Sequence, residues 1–219
     1  VGDRLIVGIG LNHRPIVETS LRMTWHKPVR HMLDYLAILD DLLTTGTASF
    51  HGEVWSFDGE GQRPSVAAPK VMIAALGPQM LRVAGQKSAG TILWCVGPKT
   101  ISSHIAPLIN QAAADADRPN PAIVCSLPVW VTDDPAPARQ FLDAILADYA
   151  SLPSYRAMMD IEGVHGLGDL SIVGNEQFVV DSLGAIAASG ATDFTAVPMG
   201  GNPDEEARTM AVLRSAAGL

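Results

Sequence analysis

Residues 70–96 read KVMIAALGPQMLRVAGQKSAGTILWCV, and Gly97-Pro98 follows. Lys70–Leu76 is a continuous apolar run of strand length. Gly77-Pro78 then opens a helix, Gln79–Lys87. Thr91–Val96 repeats the pattern, with Gly97-Pro98 opening a helix that reaches about Ala116. Strands that are apolar on both faces, each followed by a helix, belong to a parallel sheet covered by helices.

Upstream, Arg4–Gly10 (RLIVGIG) reads as a buried strand ending in Gly-x-Gly. It runs into a polar, basic loop, Leu11–Lys27. Pro28–Leu43 reads as a helix, with proline at the favoured first position and Val29, Met32, Leu33, Leu36, Leu39 and Leu43 at helical spacing. Residues 47–69 suit a short hairpin or ordered loop, since Phe50, Trp55 and Phe57 stand among polar residues. Downstream, Ala122–Thr132 reads as a longer strand interrupted by Pro128. Asp133–Ala150 is a helix behind the capping signal TDDP, residues 151–191 hold helical pieces, Thr192–Pro198 is a strand and Asp204–Ala217 a helix. That makes five strand–helix units. A closed barrel has eight over about 250 residues, so length alone favours an open doubly wound sheet.

The chain has 219 residues, enough for one domain with a full core, and its 47% apolar and 17% charged content excludes a disordered chain. No apolar run approaches the roughly 18 residues of a membrane span, and the start lacks a signal-peptide layout. A cytoplasmic protein is expected. Because the chain opens on Val1, it is expected to be processed or to lack a preceding part. Cys95 and Cys125 fall inside apolar runs and read as buried thiols. The net charge of −8 argues against nucleic-acid binding, yet residues 1–31 carry a net +3 through Arg4, Arg14, Arg22, Lys27 and Arg30. That cluster suits either a solvated surface or a site for an anionic ligand.

The junction Ala74–Met80 carries the clearest chemistry. Gly77 lets the backbone come close to a ligand, and the amides of Gln79 and Met80 point out of the helix start, where the dipole favours an anion. Gly97-Pro98 has the same physics, so the dipeptide also suits a plain tight turn. His13, just past the first strand, can exchange a proton near neutral pH or simply sit in a surface loop. Trp94 can wall a planar cofactor or fill the core. His26 and His31 lack the spacing of a zinc pair, and no metal site is expected. The link 133–191 is longer than one helix requires, so it holds an insertion near the ligand-binding mouth; Tyr155, Arg156 and Met159 are its candidate ligand-facing residues, or part of an outer helix.

Five strings together, LIVGIGLNHRPIVE (5–18), VMIAALGPQMLRVAGQKSAGTILW (71–94), VWVTDDPAPAR (129–139), YASLPSYRAMMDIEGV (149–164) and SGATDFTAVP (189–198), resemble the luciferase-like oxidoreductase superfamily. They look most like its class dependent on coenzyme F-420, an 8-hydroxy-5-deazaflavin, with FMN the alternative. The resemblance implies an α/β fold of (β/α)8 TIM-barrel type, of which residues 1–219 form a single domain with about the last five strand–helix units and without the first three strands. It implies hydride transfer between the deazaflavin and a small organic substrate. Asn12, Ala74, Ala75, Leu76, Gly77, Pro78, Met80, Gly90 and Thr91 match cofactor-binding positions, and His13 is the first choice for the acid. Trp94, Tyr155, Arg156 and Met159 are the substrate-side candidates. Arg14, Arg22, Lys27 and Arg30 would attract the polyglutamate tail of F-420, a modest reason to prefer it over FMN. A homodimer is expected, with no nucleic-acid or membrane partner.

Two other readings stand beside this one. A phosphate-binding barrel lyase or isomerase would need a Schiff-base lysine or carboxylate base at a strand's carboxyl end, where neither Lys70 nor Lys99 is well placed. A non-catalytic carrier or inactive fragment is the third.

Overall fold

Apolar strands that alternate with amphipathic helices fold into an α/β arrangement. The computed structural model describes residues 4–62 and 65–219. The opening residues 1–3, read as leading straight into a strand, lie outside the described residues. The described chain divides into two compact units, one running to Thr91 and including Gln111–Pro121, the other Ile92–Asn110 with Ala122–Leu219.

The first unit begins with β1 (Ile6–Ile9), shorter than the apolar run around it, followed by a π-helical turn at Ile16–Ser20 and by α1 (Pro28–Thr44). β2 (Thr47–His51) and β3 (Ser56–Glu60) form the expected antiparallel hairpin. β4 (Lys70–Ile73) pairs in parallel with β1, and α2 (Pro78–Lys87) follows it. β5 (Gly90–Trp94) starts in this unit, with Thr91 beside Ile73. Ile9, Ile73 and Thr91 therefore stand side by side. The hairpin is tied to α1 by the fully buried Asp34. Its Oδ2 accepts from the amides of Val54 (2.8 Å) and Trp55 (3.3 Å), and its Oδ1 lies 2.7 Å from Arg30 Nε.

In the second unit α3 (Pro98–Thr100) runs through a π-helical turn, Ile101–Ile105, into α4 (Ala106–Asp115), whose last residues belong to the first unit. β6 (Ala122–Val131) continues unbroken through Pro128, which pairs with Val197 of β8 (Asp193–Met199). The expected interruption is absent because successive residues of a parallel strand bond to alternate neighbours, so a proline forfeits one bond on one side. The expected helix over 133–150 is two helices, α5 (Pro135–Ile145) and α6 (Ala147–Ser151), and the Asp134 side chain makes no cap hydrogen bond. Thr132 instead holds this start, its Oγ1 accepting from the Asp134 amide at 3.2 Å. Then come α7 (Pro153–Glu162), α8 (Leu167–Leu170), β7 (Ile172–Gly174), α9 (Glu176–Ala188) and, after β8, α10 (Pro203–Ala216). β7 pairs in parallel with the end of β6 and adds a strand to the five expected units; at three residues it is too short to show a period.

Apart from the hairpin, every strand pairing described above is parallel, which is the expected α/β class. Buried Ile73, Leu81, Leu93, Ile109, Ile123, Leu127 and Leu142 carry the packing.

Candidate functional site

Ligands of parallel α/β folds bind beyond the carboxyl ends of the strands. In the first unit those ends are Gly10–Asn12 after β1 and Ala74–Gly77 after β4. The Ala74 amide donates to the Ile9 carbonyl at 2.9 Å, so the two segments leave the sheet together. Gly8, Gly10 and Ala74 are exposed, whereas Ile73 and Ala75, of opposite parity, are buried. A Cβ on Gly10 would already lie 3.3 Å from the Ala74 Cβ. This face of the sheet exposes small residues at Gly8, Gly10 and Ala74, with the buried Met72 beside Gly8.

Above it, the start of α2 is open. Gly77, Pro78 and Gln79 are exposed, and nothing lies within 4 Å of the place a Cβ would occupy on Gly77. Met80 is half-buried and Leu76 lies at the turn. The stagger of β5 brings Gly90 and Thr91 level with the end of β4. Thr91 is fully buried, and among the described residues its Oγ1 has no hydrogen-bond partner. Ser88 ties this turn down, its Oγ donating to the Ala84 carbonyl (2.9 Å) and accepting from the Gly90 amide (3.3 Å). An apolar face and an open helix start suit a planar ligand with an anionic group.

The second Gly-Pro junction shows what such a start can hold. Behind Gly97, Glu162 Oε2 accepts from the Thr100 amide at 2.7 Å and Oε1 from the Lys99 amide at 3.2 Å. This helix start already carries a carboxylate from its own unit.

Asn12 takes a left-handed backbone (φ 64°), which asparagine tolerates, and its Oδ1 accepts from the His13 amide at 2.8 Å. His13 is half-buried. Burial pushes its imidazole below the usual histidine range, which lowers the protonated fraction at neutral pH. The basic loop is largely neutralised by its own neighbours. Arg14 Nε lies 3.1 Å from Glu18, Lys27 Nζ pairs with Glu53, and Arg30 pairs with Asp34. These pairs remove most of the electrostatic reason for a polyglutamate site here.

A cavity of about 480 Å³ runs along β1 from Gly8 to Asn12 and is walled by the following loop and α1. Trp25, His26, His31, Met32 and Tyr35 line it, whereas His13 is not among the lining residues. Sequence reading assigned none of these side chains to a ligand. The available signal was Pro28, His31 and Tyr35 at helical spacing on one face of α1.

All the cofactor-side candidates fall in the first unit and all the substrate-side candidates in the second. There the Trp94 and Tyr149 rings meet edge-on with centroids 6.3 Å apart, and Tyr149 and Tyr155 at 5.3 Å. The Trp94 Nε1 is buried without a hydrogen-bond partner among the described residues. Tyr155 is buried and its phenol is raised by burial, while Met159 has no exposed surface. Arg156 is exposed, donating to the carbonyl of Ala150 at 3.3 Å. Cys95 and Cys125 are buried free thiols, as expected. No helix among the described residues is long and apolar enough to cross a membrane.

Comparison with known proteins agrees with this fold. An uncharacterised protein of Mycobacterium tuberculosis is 30% identical over 184 residues, which is 76% of this chain and 53% of that protein. The chain thus spans about half the length of the curated relatives it matches. A 5,10-methylenetetrahydromethanopterin reductase of Archaeoglobus fulgidus is 28% identical over 98 residues, 45% of this chain and 29% of that enzyme. Among solved structures, the coenzyme F-420-dependent tetrahydromethanopterin reductase of Methanopyrus kandleri superposes with a TM-score of 0.74 at 18% identity, covering 95% of this chain and 72% of that one. A monooxygenase from Streptomyces bottropensis gives a TM-score of 0.69 at 18% identity, covering 97% and 68%. At such identities the structures speak for the fold alone. The sequence profile of the luciferase-like monooxygenases, however, matches residues 1–216, and the chain belongs to that family.

Proposed function

We propose that the chain is part of an oxidoreductase that binds coenzyme F-420 and presents it to a small organic substrate. The observation that carries this reading is the open start of α2 at Gly77-Pro78, set beside a glycine- and alanine-lined sheet face. The small surface of Gly8, Gly10 and Ala74 accepts a planar ring, and the amides behind Gly77 meet its phosphate. When bound, the deazaflavin supplies a carbon that gives or takes a hydride. The protein supplies orientation and exclusion of water, with His13 the proposed proton-handling group. The reductases among the relatives support a deazaflavin.

FMN is the second reading. The pairing of Arg14, Lys27 and Arg30 with local carboxylates favours it, because a tail of several carboxylates then gains little. Fluorescence titration with F-420, FMN and riboflavin tests both. F-420 is expected to bind tightest, and riboflavin, which lacks the phosphate, more weakly than FMN. Tighter FMN binding would replace the first reading with the second, and equal FMN and riboflavin affinities would overturn the phosphate site.

A further inference from the structure

The cavity beside β1 has an unusual lining for its neighbourhood. The segment that builds it is basic, yet none of its described lining residues is Asp, Glu, Lys or Arg. Three nearby cations are instead engaged by Glu18, Glu53 and Asp34. Val17, Leu21, Met23 and Met32 give it an apolar wall, and Leu21 and Met23 are half exposed, at 53% and 50%. Its volume of about 480 Å³ suits a small molecule. A charged ligand would lose its hydration there without a counter-charge.

Among the polar groups of the lining, His31 and Tyr35 stand on α1 against Trp55, and His31 is the nearer of the two to that ring. It is half-buried on the first turns of α1, and its ring meets Trp55 edge-on, 5.1 Å between centroids at 88°. His26, by contrast, is exposed in the loop before α1. An imidazole N–H held on a helix is a directional donor toward a carbonyl oxygen.

We propose that this cavity binds uncharged, mostly apolar organic molecules that carry a carbonyl, and that His31 donates the hydrogen bond that orients the carbonyl oxygen. The cavity shares Gly8 and Gly10 with the exposed sheet face described above, which makes such a molecule the substrate of the proposed redox site. That last step rests on the cofactor reading. The binding itself does not, and it is measured with no coenzyme present.

The test is a titration of the 219-residue protein, labelled at methionine methyl groups, with cyclohexanone followed by NMR. Met23 and Met32 are expected to shift while Met158, Met159 and Met210 do not. His31→Phe should weaken cyclohexanone by about 3- to 10-fold, the scale of one hydrogen bond, and leave methylcyclohexane unchanged. His31→Gln keeps an N–H donor and should restore cyclohexanone to within about twofold of the parent. Cyclohexanecarboxylate and cyclohexylammonium should bind about tenfold more weakly or worse. The proposal is overturned if Met23 and Met32 stay still, if charged probes bind as well as neutral ones, or if His31→Phe weakens both neutral probes alike.

Discussion

Glu162 seats its carboxylate on the amide of Thr100, at 2.7 Å, and on the Thr100 hydroxyl, at 2.6 Å. A Gly-Pro helix start in this protein is therefore a working receptor for an oxyanion. The start behind Gly77 has the same dipeptide and no such occupant near its glycine. Gly77→Asp should build the missing carboxylate into the chain. An aspartate at this position caps the helix, so thermal stability should hold or rise, while coenzyme binding falls about tenfold. Thermal melts and fluorescence titration give the two readouts, and unchanged affinity would dismiss the site.

The filled junction yields the converse. Glu162→Ala strips the cap from α3 and should cost about 1–2 kcal/mol in urea unfolding. Gly97→Ala should also destabilise, because the added Cβ would lie 2.4 Å from the Glu162 carboxyl carbon and force it off the amides. Gly77→Ala, with open space around it, should stay within about 0.5 kcal/mol of the parent.

Thr91 separates stability from function in a single substitution. Its buried hydroxyl bonds to nothing in the described protein, so valine, of similar shape and at home in a strand, should leave the apoprotein equal or more stable by up to about 1 kcal/mol. Because Thr91 stands beside Ile73 on the packed side of the sheet, coenzyme affinity should be unchanged, and weaker binding would show that the hydroxyl reaches the ligand. A destabilised variant with intact affinity would assign the hydroxyl a structural role.

These contrasts show where the sequence is informative. Continuous apolar runs before Gly77 and Gly97 reveal the parallel strands, because burial on both faces leaves no alternation to confuse with a half-exposed sheet. The two Gly-Pro junctions look alike in sequence, and what separates them is Glu162, 62 residues beyond Thr100. The basic loop reads as an anion site until Glu53, in the turn of the hairpin, is seen to pair with Lys27; the Arg30–Asp34 pair, four residues apart on α1, is by contrast legible in the sequence. The cavity was hidden for a similar reason: His31 and Tyr35 interleave with the apolar spacing of α1, and their neighbour Trp55 lies on the hairpin side.

Burial pushes the thiols of Cys95 and Cys125 up to about 12. At pH 8 the folded protein should therefore be alkylated by iodoacetamide far more slowly than a small thiol, and should react fully in urea. Rapid labelling of the folded protein would show that this core opens readily.

Arg208 grips Glu176 through paired bonds of 2.7 and 2.9 Å and reaches Asp133 at 3.0 Å. The hydrogen bonds from Arg208, first among the causes, hold the Glu176 carboxyl down at about 2, below its ordinary value of 4.5. A carboxyl depressed by folding stabilises the native state above its unfolded pKa and loses that contribution as pH falls toward the folded value. The advantage of the parent over Arg208→Met should thus be complete at pH 6, shrink below about pH 4.5 and vanish near pH 2. Because both side chains are partly exposed, 150 mM salt should reduce it as well. Melting temperatures of the two proteins at pH 6, 4 and 2.5 measure the effect, and a gap that does not narrow with acid would mean that Arg208 acts through packing of its aliphatic stem instead.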